Sequence, residues 1–445
     1  MSETAIRMGG IISAAEEGHT RRQIAIRLLP FLFLLYIVNF LDRASVAYAA
    51  IGMSHDLGFN DRVFGLAFGI FFVGYVMLQI PCAMLVERWS ARKMICLTMV
   101  AWGAMTGLTA LVRTPNHLYL ARFLLGAAEA GFFPGVVVYL SRWFLREDRA
   151  KATSNFMSAI PLSLVIGSPI AGWILGHTWK GIPGWRWLFV LEGLPAVALG
   201  IVAYFFLTDS PREARWLKIE QREWIAKSID KQKPRGENSA SVWDAFRSPR
   251  ALLLAGIAFL NYSIFYTFIF WLPTMLKRQS GLADLKIGWL GAIPYLVCLI
   301  IMPLNGWHSD RHCERRWHTA IPLLVASVGL FGLATQPVSL PFAMLFFTLV
   351  TTGNAYISVF WSVPTEVLSP TIAAASVGMI SSAGSIAAFA APYAFGYLNK
   401  KAGTFVYGLI ALGIVALVQV RAMFLLPRGP EPRSETLPAP SEIAV

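Results

Sequence analysis

Four ionisable side chains stand inside stretches of the chain that are otherwise apolar. Asp42 and Arg43 lie two-thirds of the way along one apolar run, and Arg122 and Glu129 lie seven residues apart in another. Seven residues are two helical turns, so Arg122 and Glu129 would share a helix face. A guanidinium matches a carboxylate through its planar fork of N–H groups, and a buried carboxyl favours its neutral form when another anion takes its cation. The four residues therefore predict anion binding coupled to proton binding.

The stretches that carry these residues belong to a chain of 445 residues, of which 56% are hydrophobic and 14% charged. Soluble domains have roughly 45–50% apolar and about 25% charged residues, so ordinary cytosolic, disordered and collagen-like proteins are excluded. A membrane-spanning helix needs roughly 20 mostly apolar residues. Twelve such runs follow one another, the first at 28–51 and the last at 403–426. Each is predicted to be a helix, because backbone groups in hydrocarbon must bond within their own segment.

The four charged residues also have a purely structural interpretation, in which mutual ion pairs hold two helices together. An unpaired charge at the centre of a bilayer costs at least ~2.5–3.5 kcal/mol. Serine, asparagine or small residues join helices at a lower cost. We therefore favour the binding interpretation and keep the structural one as its alternative.

The distribution of Lys and Arg predicts the orientation of the chain. With a cytoplasmic N-terminus, most of the 38 basic residues fall in cytoplasmic segments, as the positive-inside rule requires. Both termini are then cytoplasmic. The predicted segments are a cytoplasmic tail at 1–27, a six-helix bundle at 28–207, a central cytoplasmic loop at 208–249, a second six-helix bundle at 250–426 and a disordered cytoplasmic tail at 427–445.

The two predicted bundles share features at a constant offset. Gly65 and Gly288 each open a span and differ by 223 positions, and Pro169 and Pro392 differ by the same number. This repetition predicts a duplicated six-helix unit, with two parallel halves as in many transporters.

Two clusters of charged residues occupy short cytoplasmic loops at equivalent positions of the two copies. We predict that they form latches that pair across helices and control gating; plain positive-inside anchoring is the alternative. The predicted gating residues are Glu87, Arg88, Arg92, Asp310, Arg311 and Arg315.

Longer motifs extend this pattern over essentially the whole membrane region. They resemble the anion:cation symporter family of the major facilitator superfamily, and are most similar to its bacterial branch of tartrate and 4-hydroxyphenylacetate permeases. The motifs are Leu41-Asp-Arg-Ala-Ser-Val, Arg122-Phe-Leu-Leu-Gly-Ala-Ala-Glu-Ala-Gly-Phe-Phe-Pro134, Gly184-Trp-Arg-Trp-Leu-Phe-Val-Leu-Glu-Gly-Leu-Pro195 and Phe360-Trp-Ser-Val-Pro-Thr365.

The resemblance implies an all-α membrane protein with the major facilitator fold, in which twelve transmembrane helices form two pseudo-symmetric six-helix bundles. It implies proton-coupled uptake of a small organic anion by alternating access, in a monomer of the bacterial inner membrane. Asp42 and Glu129 match the family's proton-linked acids, and Arg43 and Arg122 match the residues that handle the substrate carboxylate. Sugar acids, tartrate-like acids and aromatic carboxylates remain open as substrates.

Further positions are predicted to contact the substrate. Three aromatic residues match family positions near the cavity, and three polar residues could line it, although each of these could equally make a hydrogen bond between helices. The eleventh span commonly carries an asparagine in this family, where this chain has serines. The six candidates are Asn39, Tyr75, Tyr266, Asn354, Trp361 and Ser382.

Other classes of function find little support in the sequence. No phosphate-binding loop, catalytic nucleophile–base set or cofactor motif appears, and the basic residues lie between apolar runs rather than in a nucleic-acid patch. His308, His312, Cys313 and His318 are close together, but no second ligand cluster accompanies them, so no metal is predicted. An exporter, antiporter or neutral-solute carrier of the same fold is the main alternative, and a membrane-embedded enzyme or sensor is a more distant one.

Overall fold

A computed structural model describes residues 13–232, 246–312, 314–361, 363–368 and 370–426. Most of these residues are helical, with 3-10 turns at Pro211–Glu213 and Gly353–Tyr356. The helices are α1 (Ala14–Leu57), α2 (Asp61–Arg88), α3 (Ala91–Thr109), α4 (Pro115–Glu129), α5 (Phe132–Trp143), α6 (Arg146–Met157), α7 (Ala159–Leu175), α8 (Gly184–Phe206), α9 (Ile219–Lys231), α10 (Pro249–Ser280), α11 (Asp284–His312), α12 (Arg316–Ala334), α13 (Leu340–Thr352), α14 (Ile357–Phe360), α15 (Val363–Val367), α16 (Pro370–Ala402) and α17 (Val406–Leu425).

In the described part of the chain, 11 helical segments are long and apolar enough to cross a membrane. They coincide with all the predicted spans except the third. The third apolar run forms α3, a helix of 19 residues that packs against α4 and α8. The all-α membrane fold is therefore confirmed, with the count of twelve spanning helices approximate. The predicted C-terminal tail at 427–445 lies outside the described residues.

The first helix extends well beyond its predicted span of 28–51. It begins at Ala14 because Ser13 and Glu16 form a capping box, in which each side chain bonds the backbone N–H of the other residue. It ends at Gly58, whose φ of 66° is readily adopted only by glycine. Part of the predicted tail at 1–27 is thus helix continuous with the first span.

Two predicted spans are each interrupted by a break in the helix. A break at residues 130–131 separates α4 from α5 and directly follows Glu129. Pro134 contributes to this break because it has no N–H for the carbonyl of Ala130. In the same way, Pro161 follows the break at Ser158 between α6 and α7.

The two halves of the chain, α1–α8 and α10–α17, meet along α2 with α16 and along α7 with α11. Gly65 on α2 packs directly on the backbone of Pro392, and Gly288 on α11 packs on the backbone of Ser168 and Gly172. A side chain at either glycine would press on the facing backbone. The two glycines are 223 positions apart, and the residues that they contact, Pro392 and Ser168, differ by 224. The two contacts between the halves are therefore equivalent in the duplicated unit.

Candidate functional site

A cavity of about 380 Å³ lies between the two halves, and both contribute to its lining. Its deep residues are almost fully buried: Asn39 and Glu129 are each 1% exposed. Val137 of α5 and Val377 of α16 also line the cavity, closer to the end of the molecule that carries the chain termini. These two side chains are 41% and 43% exposed. The cavity therefore opens towards the end of the molecule that carries both described chain ends.

At the opposite end a polar contact joins the halves. Asp61, at the start of α2, accepts a hydrogen bond of 2.7 Å from Nη1 of Arg278 at the end of α10, and a second from Nη2. It also accepts one from the amide of Asn399 on α16. Asp61 is 8% exposed, so a nearly buried carboxylate of one half accepts three hydrogen bonds from two residues of the other.

The deep wall of the cavity carries an ion pair between α1 and α4. Nη2 of Arg43 donates to Oε1 of Glu129, and both side chains are buried. The other oxygen of Glu129, Oε2, has no hydrogen-bond partner among the described residues. The break after Glu129 places this carboxylate at the end of α4, where it turns towards α1.

Aromatic rings surround the Arg43 guanidinium. Its central carbon lies 5.1 Å from the ring centres of Phe40 and Phe71 and 5.4 Å from that of Tyr75, within cation–π range. Nη1 also donates to the hydroxyl of Tyr266, at 3.2 Å. Arg43 and Tyr266 differ by 223 positions, so they occupy equivalent places in the two halves and meet where the halves face each other.

The other two charged residues lie behind this wall. Asp42 is 1% exposed and Arg122 is 0% exposed, and neither lines the cavity. Arg122 donates from Nε to the carbonyl of Ala67, at 3.4 Å, and its central carbon lies 4.9 Å from the ring centre of Phe71. Asp42 lies close to the Thr106 hydroxyl of α3 and to Arg122, but makes no hydrogen bond of good geometry with a described residue. The cavity wall thus carries one ion pair, between Glu129 and Arg43. A second acid and a second base, Asp42 and Arg122, are buried behind it.

Close packing of α2 on α4 brings these groups together. A side chain on Gly126 would overlap the backbone of Phe71, and one on Gly74 would overlap the backbone of Phe123. Two glycines therefore let the helix backbones touch, as small residues do in membrane proteins. This contact brings Phe71 of α2 against Arg122 of α4.

Most of the predicted substrate-contacting residues line the cavity, namely Asn39, Tyr75, Tyr266, Asn354 and Trp361. Ser382 does not. Its neighbours Ser381 and Ser385 on α16 do, because positions four apart on a helix share a face.

The predicted gating residues of the first half lie at the end of the molecule that carries the termini. Ser90 Oγ and the backbone N–H of Arg92 donate to Asp209, at 2.5 and 3.1 Å, and the Arg92 side chain lies 3.7 Å from the same carboxylate. Arg88 is exposed, and the side chain of Glu87 lies outside the described part of the chain. The central loop begins with a 3-10 turn at Pro211–Glu213, two residues after Asp209.

The equivalent residues of the second half also make local contacts. Arg315 pairs with Asp310 across the turn between α11 and α12. The central carbon of Arg311 lies 5.5 Å from a ring centre of Trp307. The gating role of both clusters stays a prediction.

Several cavity residues are missing from the predicted site. Tyr36 and Phe40 line the cavity together with Asn39 and Arg43. Asn39 and Phe40 each stand three or four positions from both Tyr36 and Arg43 on α1, so helical periodicity could have found them. Glu192 is also absent from the predicted site, although it is 9% exposed and its Oε2 has no hydrogen-bond partner in the described structure. Its signal in the sequence is a carboxylate within an apolar run and within the motif Gly184 to Pro195.

The histidines near the end of α11 form a hydrogen-bonded chain. Nδ1 of His308 lies 2.6 Å from Nε2 of His318, whose Nδ1 lies 2.9 Å from Glu314. Among the described residues, no group of three or more His, Cys, Asp or Glu residues is placed to hold a metal ion. Cys313 lies outside those residues.

Comparison with known proteins identifies the family. The sequence signature described as Major Facilitator Superfamily matches residues 32–392. The chain belongs to this superfamily of membrane transporters. It is 38% identical over 433 residues to a protein of Agrobacterium vitis named "Putative tartrate transporter", covering 97% of this chain and 96% of that protein.

Other major facilitator proteins are also similar. A protein of Acinetobacter baumannii named "Quinolone resistance transporter" is 34% identical over 404 residues, covering 89% of this chain and 92% of its own length. A crystal structure of a bacterial homologue of the human lysosomal transporter Spinster superposes with a TM-score of 0.73 at 20% identity, covering 93% of this chain and 97% of that one. This structural likeness supports the major facilitator fold for the present chain.

Proposed function

We propose that this protein is a proton-coupled symporter that takes up a small organic anion through the bacterial inner membrane, with both termini in the cytoplasm. The observation that carries the proposal is the buried Arg43–Glu129 ion pair in the wall of the cavity. The similarity to a protein named as a tartrate transporter supports an anionic substrate.

The ion pair explains how an anion and a proton could be coupled. A substrate carboxylate that binds Arg43 competes with Glu129 for the same guanidinium. A buried carboxylate that loses its cation is strongly destabilised unless it takes up a proton. Protonation of Glu129 therefore frees Arg43 for the substrate, and substrate binding favours protonated Glu129. Asp42, buried near Arg122 and the Thr106 hydroxyl, is the second proton-binding candidate.

Transport is tested with purified protein in vesicles that have an alkaline interior, using radiolabelled tartrate, gluconate and benzoate. We expect at least one probe to accumulate, accumulation to stop when a protonophore removes the gradient, and the external medium to become alkaline on substrate addition. Vesicles without protein correct for passive entry of benzoate. Acidification of the medium would instead indicate antiport. The similarity to a quinolone resistance transporter makes proton-driven export the second candidate.

Alternating access follows from the way the halves meet. The cavity opens towards the end with the termini, while the contact of Asp61 with Arg278 and Asn399 closes the other end. Opening that other end requires the carboxylate to leave both donors. The three residues therefore form an outer gate in this mechanism.

Replacement of Asp61 by asparagine should shift the population towards the state that opens at this end. The Arg278 side chain is 48% exposed, so we expect a change of about 1 kcal/mol, or roughly fivefold in the ratio of the two states. The distance between spin labels on His55→Cys and Lys401→Cys, in protein whose native cysteines are replaced by serine, measures the shift.

Asp284→Asn is the matched control for this experiment. Asp284 stands 223 positions after Asp61, and its ion pair with Lys277, at 2.7 Å, stays within one half. The label distances should therefore be unchanged in the control. An unchanged distance distribution in Asp61→Asn would contradict the outer gate.

A further inference from the structure

The cavity contains few charged groups. Among the described residues that line it, Arg43 is the single cation and Glu129 the single acid. Eleven of the lining residues are aromatic. On this basis we propose that the substrate is a monocarboxylate whose carboxyl group is attached to an aromatic ring system, directly or through a short link. The inference rests on the proposed function, because it specifies the organic anion that the same site binds.

The carboxylate end of the site is built on one face of α1. Asn39 and Arg43 are four residues apart and both line the cavity. Nδ2 of Asn39 is buried and has no acceptor among the described residues. Such an amide is costly to bury unless it finds an acceptor. One carboxylate could take hydrogen bonds from this amide and from the guanidinium once Glu129 is protonated.

The remaining volume is bounded by rings on both walls. On α10, Tyr262 and Phe265 lie beside Tyr266, with ring centres 5.6 and 5.0 Å from it. On the first half, the rings of Tyr36 and Phe133 are 6.4 Å apart and line the same cavity. Aromatic groups attract one another at such distances in tilted, edge-to-face and offset arrangements. A flat ring held at Arg43 would find aromatic partners on both sides.

The same walls disfavour a second carboxylate. A second carboxylate would have no lining cation beyond Arg43, and a buried charge without a partner is strongly destabilised. Tartrate carries such a second carboxylate.

The test is calorimetric binding of three probes to the purified full-length protein at a pH of about 5. Benzoate has one carboxylate and a ring, gluconate one carboxylate and many hydroxyls, and tartrate two carboxylates. We expect benzoate to bind at least tenfold more tightly than either of the others. Tighter binding of gluconate or tartrate would overturn the inference and leave the proposed function standing. Failure of all three to bind would overturn both.

A pair of matched variants tests the aromatic contact directly. Phe265→Leu removes a cavity ring and keeps an apolar side chain, so benzoate affinity should fall about two- to tenfold. Phe205→Leu makes the same change at a side chain that is 78% exposed on α8, and should leave affinity unchanged. Tyr262→Leu provides a second cavity variant if Phe265→Leu does not fold. If a folded cavity variant binds benzoate with wild-type affinity, the proposed contact between the substrate ring and the cavity rings is wrong.

Discussion

Replacement of Arg43 by alanine is expected to weaken the binding of organic anions by about a hundredfold. Loss of one member of a buried, hydrogen-bonded charge pair costs about 2–5 kcal/mol, and a hundredfold change corresponds to about 2.8 kcal/mol. Arg43 is the single cation among the described lining residues, so no neighbouring side chain replaces it. Direct binding to the purified variant, with whichever probe the wild-type protein binds, measures the effect.

Two further variants separate binding from folding. Arg43→Ala leaves the Glu129 carboxylate buried without its cation, and this by itself destabilises the fold. The double variant Arg43→Ala, Glu129→Gln has no buried unpaired charge at this position and should still fail to bind the anion. Arg421→Ala removes a guanidinium from an exposed position on α17 and should bind normally. Wild-type affinity in a folded Arg43→Ala protein would mean that the anion is anchored elsewhere.

The second large effect is expected from Glu129→Gln, which should abolish accumulation of substrate against a gradient. Glutamine has nearly the shape of protonated glutamate but carries no titratable proton. Arg43 is then permanently free of its acidic partner, so the anion should still bind and exchange between pools. In the wild-type protein, binding should weaken as the pH rises and Glu129 ionises; in the variant this dependence should be lost.

Parallel assays of the same vesicle preparation check this result. Gradient-driven accumulation is compared with exchange of labelled for unlabelled substrate at equal pH on both sides. Glu147→Gln is the matched control, because the Glu147 side chain is 60% exposed and pairs with Arg21 at the cytoplasmic end predicted for this chain. Normal accumulation by Glu129→Gln would exclude this carboxyl as the coupling group. Asp42→Asn would then be the next variant to assay, because Asp42 is the other acid predicted to bind a proton.

The outcome at α1 illustrates what the pattern of residues could predict. The motif around Asp42 and Arg43 marked this helix as functional, and the cavity does lie against it. Tyr36 and Asn39 stand seven and four positions before Arg43, so the cavity-facing stripe follows from helical periodicity alone. Asp42, one position from Arg43, points away from that stripe for the same reason.

The pairing of the charges could not be predicted in the same way. Arg122 and Glu129 share a helix face, yet seven residues separate them by about 10 Å along the axis, too far for a direct ion pair. Glu129 instead bonds Arg43 of another helix. The choice of Arg43 over Arg122 as the partner of Glu129 depends on the distances between α1, α2 and α4. Gly74 and Gly126 set the distance between α2 and α4.

The sequence by itself determined the properties that depend on local composition and spacing. An apolar fraction of 56% and twelve runs of spanning length require helices in a membrane, and the 223-residue offset predicts two copies of one unit. The tertiary structure alone decided which residues of distant segments meet: Arg43 with Glu129 and Tyr266, and Asp61 with Arg278 and Asn399. The physical reason is that hydropathy and helical period specify which face of a helix is polar, whereas partner choice depends on backbone distances set by close packing between helices.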